Sequence, residues 1–140
     1  ASGVILMDED KAKEIGAPII ARVLSVAATG VDPAYMGIGP ISASKKALAK
    51  AGLELKDIDL WEINEAFAAQ CIACQRELGI DMDKLNVNGG GISLGHPVGA
   101  TGSRLVVTLM NELKKRGKKY GAATLCAGGG MGTCVIIEML

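Results

Sequence analysis

Aromatic side chains are scarce in this chain of 140 residues: one Phe, one Trp and two Tyr, 3% of the total. Any core must therefore be packed from small aliphatic side chains, and an apolar share of 49% is enough to build one for a single domain. Charge of one sign is missing as well. Lys plus Arg number 15 and Asp plus Glu number 15, so there is no basic field for a nucleic-acid backbone and no acidic tail. No apolar run approaches the roughly 18 to 20 residues that span a bilayer, and the N-terminus lacks the charged-then-apolar pattern of a secretory signal. These absences point to a soluble, cytoplasmic protein whose partner is neither nucleic acid nor membrane. Histidine occurs once, and the four Cys, in a chain without export signals, are expected as reduced thiols. Cys71 and Cys74 form a C-x-x-C, but a structural zinc site needs a second such pair, so no metal is expected. With Phe67 and Leu78 they continue a stripe at helical spacing, which reads as core packing.

Glycine, by contrast, is concentrated. Residues 88–104 read N-G-G-G-I-S-L-G-H-P-V-G-A-T-G-S-R, with six glycines and the sole histidine, His96, near the middle. Glycine permits backbone conformations and close approaches that a Cβ would block, at an entropic cost that an ordinary surface loop has no reason to carry. The residues after Pro97 are helical in pattern, so His96 stands at the mouth of a helix whose unpaired N–H groups attract negative charge. A second cluster, C-A-G-G-G-M-G at 126–132, repeats the device and puts Cys126 at the end of an apolar run.

Taken in order, residues 1–15 hold a short apolar run at 4–7 and then D-E-D-K-A-K-E, the acidic first turn of a helix, after which 16–18 break the pattern. Strands are predicted over 19–28, 59–63, 85–88, 121–126 and 133–139, and helices over 41–51, 66–78 and 98–116. Asn64 is placed to cap the helix at 66–78, with Glu65 meeting its dipole. The helix over 98–116 opens on Gly99, Ala100, Thr101, Gly102 and Ser103 and then carries Leu105, Val106, Leu109, Met110 and Leu113 on one side, widened by Val107. Small residues let a helix lie against neighbouring backbones, so this one is expected between layers, with its basic end at 114–119 solvated. Strand and helix alternate up to a closing strand pair, which predicts a layered α/β fold with a mixed five-stranded sheet and helices on both faces.

Asn64, His96 and Cys126 each follow a predicted strand and lie on a turn, where α/β sheets place their sites. A thiolate and an imidazole exchange a proton near neutral pH, because reference values of about 8.5 and about 6.5 are moved by helix termini or burial. The Asn64 amide is suited to orient a water or an oxyanion, and the glycine N–H groups beside Cys126 to form a second oxyanion site. The plainer reading makes His96 a capping or core histidine and Cys126 a buried thiol. A phosphate loop fits poorly, since neither cluster continues as G-K-S or G-K-T or matches G-x-G-x-x-G.

The set N-E-A-F-A at 64–68, the run at 88–104 and C-A-G-G-G-M-G at 126–132, with V-D-P-A-Y-M-G-I-G-P at 31–40, resembles the C-terminal half of a thiolase of the acetyl-CoA acetyltransferase type. The resemblance spans essentially the whole chain. It implies that residues 1–15 are the last strand and helix of a first half and 16–140 the C-terminal domain, with the helix at 98–116 buried against the other half. It implies Cys126 as the acid/base acting on the α-proton of an acyl-CoA. His96 would activate a nucleophilic cysteine and bind the thioester oxyanion with a water held by Asn64. Gly128 N–H would help form the oxyanion hole of the acyl-enzyme, and Met36 and Phe67 would lie near the acyl and pantetheine pocket. Coenzyme A thioesters are then substrates and no cofactor is needed. The nucleophilic cysteine, most coenzyme A contacts and the loop joining subunits of a homo-oligomer belong to the first half, so the chain is expected to be inactive without it. The alternatives are a non-catalytic assembly domain of the same fold and a Cys-His thioester hydrolase. Condensing enzymes that use two histidines do not fit a chain with one.

Overall fold

The computed structural model describes residues 1–140 and contains one sheet of four strands, not five. The strands are β1 (Ala21–Gly30), β2 (Leu60–Ile63), β3 (Tyr120–Ala127) and β4 (Met131–Met139). Their order is β1-β4-β3-β2, antiparallel between β1 and β4 and between β4 and β3, and parallel between β3 and β2. The expected fifth strand at 85–88 stops after one bridge, Leu85 against Trp61. Asn86 then turns away with φ of 47°, and its side chain replaces the missing ladder: Oδ1 accepts from Ile63 N and Nδ2 donates to Ile63 O, both at 2.9 Å. A side-chain amide has the same donor and acceptor as a peptide, so it satisfies the edge of β2 without a strand.

Five helices complete the chain: α1 (Glu9–Glu14), α2 (Gly39–Ala51), α3 (Ala68–Leu78), α4 (Gly91–Leu94) and α5 (Thr101–Arg116). Pro40 lies in the first turn of α2 and Gly52 ends it in the left-handed conformation, as proline and glycine should. Two helix starts differ from expectation. α3 begins after Phe67, so Asn64 is not its cap, and α5 begins at Thr101 after a turn at 98–100. The short α4 inside the glycine run was not foreseen. Residues 4–7 pair with no strand of this sheet. Ser2 instead joins this segment to α5, its hydroxyl donating to Ala100 O at 2.9 Å.

Helices cover both faces of the sheet. On one face α2 and α3 bury Ala43, Ala47, Leu48, Cys71, Cys74 and Leu78 against Trp61, Ile63, Ala122 and Ile136. On the other, Leu105, Leu109 and Leu113 of α5 pack on Leu60, Ala123 and Ile137, while Val106 and Met110 are only partly covered. The C-x-x-C thus lies in the core as the stripe predicts, but Phe67 at its head is 64% exposed. Its place just before α3 aims it outward instead of into the stripe.

Close backbone crossings explain where the glycines fall. Gly39, opening α2, lies directly against Met131 and Gly132 of β4, and a Cβ on Gly39 would come within 2.5 Å of Met131 O. Only glycine on both sides lets the α2 entry cross the β3–β4 hairpin this tightly.

Candidate active site

The C-terminal ends of the parallel pair β2 and β3 lie side by side. Ile63 is opposite Thr124, and the next residue, Asn64, donates its backbone N–H to Thr124 O at 3.0 Å. Cys126 stands two residues beyond Thr124 on β3, so the strand pairing brings the backbones of Asn64 and Cys126 to the same end of the sheet. Asn64 is 1% exposed, and its Nδ2 lies 3.5 Å from Nε2 of His96, which arrives from the glycine run. Asn64 Oδ1 has no hydrogen-bond partner within the chain, which leaves this buried carbonyl free to accept from a group that enters the site.

His96 is anchored from behind. Its Nδ1 lies 2.7 Å from Oγ1 of Thr101, and that hydroxyl lies 3.1 Å from Pro97 O. With its one proton donated to the carbonyl, the hydroxyl accepts from Nδ1–H, which leaves a lone pair on Nε2 of the neutral ring facing Asn64. The ring is thereby set to take up a proton at Nε2 and, once charged, to donate from it.

The loop carrying His96 is held by the Glu65 carboxylate, which stands three residues before α3 and does not meet its dipole. Glu65 accepts from Ile92 N at 3.0 Å through Oε2 and from Asn86 Nδ2 at 3.0 Å through Oε1. Gly90 lies against this carboxyl group so closely that a Cβ there would overlap it. Glu65, Asn86 and Thr101 are therefore the parts of the site that the sequence analysis missed. Their one signal was spacing: Glu65 adjoins Asn64, and Thr101 follows Pro97 by one helical turn.

Burial pushes the Cys126 thiol above its ordinary value, opposed by a backbone hydrogen bond. Burial also raises Cys74, countered by the Gln70 amide and reinforced by the charge of nearby Cys126, and it carries Cys71 and Cys134 up to about 11. Cys126 is the one cysteine that is only partly buried. It shares the end of the sheet with Asn64, and among the expected residues the direct polar contact is the one between Asn64 and His96. Gly128 sits in the exposed turn after β3, and this turn is tied down where Val31 N donates to Gly130 O at 2.7 Å. Met36 lies in the 3₁₀ turn Pro33–Ile38 and lines an open groove together with Phe67, Tyr35 and Gln70. No cluster of His, Cys, Asp or Glu stands where it would hold a metal ion, and no helix is long and apolar enough to cross a membrane.

Comparison with known proteins agrees with this arrangement of motifs. The family model "Thiolase, C-terminal domain" matches residues 17–139. An acetyl-CoA acetyltransferase of Syntrophomonas wolfei is 58% identical over 142 residues, covering 100% of this chain and 36% of the relative. The crystal structure of the Bacillus anthracis acetyl-CoA acetyltransferase superposes with a TM-score of 0.94 at 53% identity, covering 96% of this chain and 34% of that one. Human mitochondrial 3-ketoacyl-CoA thiolase in complex with CoA gives 0.93 at 50% identity, covering 94% and 34%. The chain spans about a third of the length of the curated relatives it matches.

Proposed function

The chain belongs to the thiolase family, and from that premise we propose that it is the C-terminal catalytic half of an acetyl-CoA acetyltransferase. In this reading it serves the reversible condensation of acetyl-CoA and the thiolysis of β-ketoacyl-CoA. The observation that carries the reading is the Asn64–His96 contact at the end of the sheet that also bears Cys126. A nucleophilic cysteine from the other half, as the family resemblance implies, gives its proton to Nε2 of His96 and attacks the first thioester, releasing coenzyme A. The Cys126 thiolate then removes an α-proton from a second acetyl-CoA. The enolate oxygen is met by His96 and by a water held on Asn64. The enolate carbon attacks the acyl-enzyme carbonyl, whose oxyanion is met by the Gly128 N–H, and the nucleophilic thiolate leaves. Thiolysis runs these steps backward.

Met36 and Phe67 are proposed to line the path of the acyl and pantetheine groups, as their shared groove allows. No resident cofactor takes part in the scheme. All four cysteines are free, which suits a reducing compartment such as the cytoplasm, and the assembled enzyme is proposed to be a homo-oligomer. The test is the loss of acetoacetyl-CoA on addition of coenzyme A, measured for the chain alone and with a thiolase N-terminal half. Turnover is expected only with both. Sustained turnover by the chain alone would show that the nucleophile lies within it, and no turnover with any N-terminal half would favour an assembly domain.

A further inference from the structure

We propose that Glu62 and Arg104 form a buried charge clamp that sets the spacing between Asn64 and His96, and so act as positioning residues for the site. Glu62 lies on β2 two residues before Asn64, and side chains two apart on a strand share a face. That face is the one covered by α5, where Leu60 packs. Arg104 lies on α5 three residues after Thr101, the residue that anchors His96. The pair therefore bridges β2 and α5, the strand that leads into Asn64 and the helix that begins at the His96 anchor, about one helical turn further from the site.

The geometry is that of a contact held by charge. Arg104 Nη1 lies 3.6 Å from Glu62 Oε2, and the Glu62 side chain is 3% exposed. Neither that oxygen nor Nη1 and Nη2 of Arg104 has a hydrogen-bond partner, so no fork of hydrogen bonds fixes the pair. In a buried setting the attraction is strong even at this distance. The other charged groups acting on Glu62 are Glu112 from α5, itself bonded to Asn88 and Arg116, and Glu65 just past β2. Burial carries Glu62 up to about 7, with Arg104 pulling it down and Glu65 and Glu112 pushing it up. At 3.5 Å the Asn64–His96 contact is at the outer limit of a hydrogen bond, so a small slide of α5 along β2 makes or breaks it.

The inference rests on the roles proposed for Asn64 and His96, but its test reads the His96 ring instead of turnover, so the two fail separately. His96 is the only histidine and Trp61 the only tryptophan, and each gives a signal free of overlap. The ring nitrogens of His96 are followed by ¹⁵N NMR well above pH 7, where Glu62 is charged, in the wild-type chain, Glu62→Gln, Arg104→Met and Arg104→Lys. Trp61 emission, from a side chain that is fully buried beside Glu62, reports whether the fold is kept. Glu62→Gln imitates a neutral state that the chain already visits, so it is expected to fold. In Glu62→Gln and Arg104→Met the Nδ1 and Nε2 resonances should move toward each other as the two tautomers mix, with Trp61 emission unchanged. Arg104→Lys keeps the charge and should retain the wild-type pattern. Unchanged His96 signals in Glu62→Gln would overturn the proposal. So would a lysine variant as disturbed as the methionine one, or a His96 change that appears only together with a red shift of Trp61.

Discussion

The hydroxyl of Thr101 favours the proton on Nδ1 of His96, because it accepts there while donating to Pro97 O, and the Asn64 amide beside Nε2 favours the same tautomer from the other side. Thr101→Val keeps the shape and removes the acceptor. In the assembled enzyme it should lower kcat at least tenfold, part of the roughly 10² to 10⁴ that general acid–base catalysis contributes. Thr101→Ser should restore most of the loss, and equal rates for the two variants would contradict the anchoring role. Cys126 gives a second test. It is the one cysteine that is only partly buried, and that partial burial raises its thiol, so it is mostly protonated near neutral pH. Since the thiolate is the reactive form, iodoacetamide should label Cys126 first, at a rate that climbs with pH, while Cys71, Cys74 and Cys134 stay protected until the chain unfolds. Peptide mapping by mass spectrometry reads the order of labelling, and early modification of Cys74 would count against it.

Among the elements, the joint between β2 and α5 carries a pH dependence. The Glu62 carboxyl is raised from 4.5 to about 7, chiefly by burial, so the folded chain binds this proton more tightly than the unfolded chain. The resulting stability is fully present below about 4.5 and is lost as pH rises toward about 7. The span amounts to about 3 kcal/mol, at 1.36 kcal/mol per pH unit. Urea unfolding midpoints should therefore fall across that window in the wild type and stay flat there in Glu62→Gln. α3 is tested through its stripe. Cys74→Ala empties a fully buried position and should cost about 1 kcal/mol or more, whereas Phe67→Ala, on an exposed side chain, should cost well under that.

The same elements show what could be read from sequence and what could not. The apolar periodicity of α5 and the Cys71–Cys74–Leu78 stripe of α3 were legible because burial imposes them along a single element. The false strand at 85–88 alternates apolar and polar residues as a half-buried strand does. What ends it is the Asn86 amide closing on Ile63, a contact between segments far apart in the chain that no local pattern encodes. Asn64 suits a helix cap by type, and the cap reading fails because α3 begins only after Phe67; its grouping with His96 was legible from the turns and the thiolase resemblance, and the fold adds the direct contact.

For the whole molecule, the outer surface is rich in apolar side chains that a lone domain would cover. Ile5 is 90% exposed, Val98 84% and Leu6 77%, and Val106 and Met110 of α5 are only partly buried. Exposed apolar surface drives association at about 25 cal/mol per Å² before the costs of binding are counted. The isolated chain should self-associate or bind hydrophobic dyes, as sedimentation at several concentrations and dye fluorescence would show; a dye-silent monomer would mean these side chains are masked. The proposed division of labour within the assembled enzyme is reached most directly through the α-protons of acetyl-CoA. In D₂O, with a thiolase N-terminal half present, the acetyl group should take up deuterium as Cys126 removes and returns the proton. Cys126→Ser should abolish that uptake while the other half still forms its acyl-enzyme. Undiminished deuterium uptake in Cys126→Ser would contradict the account.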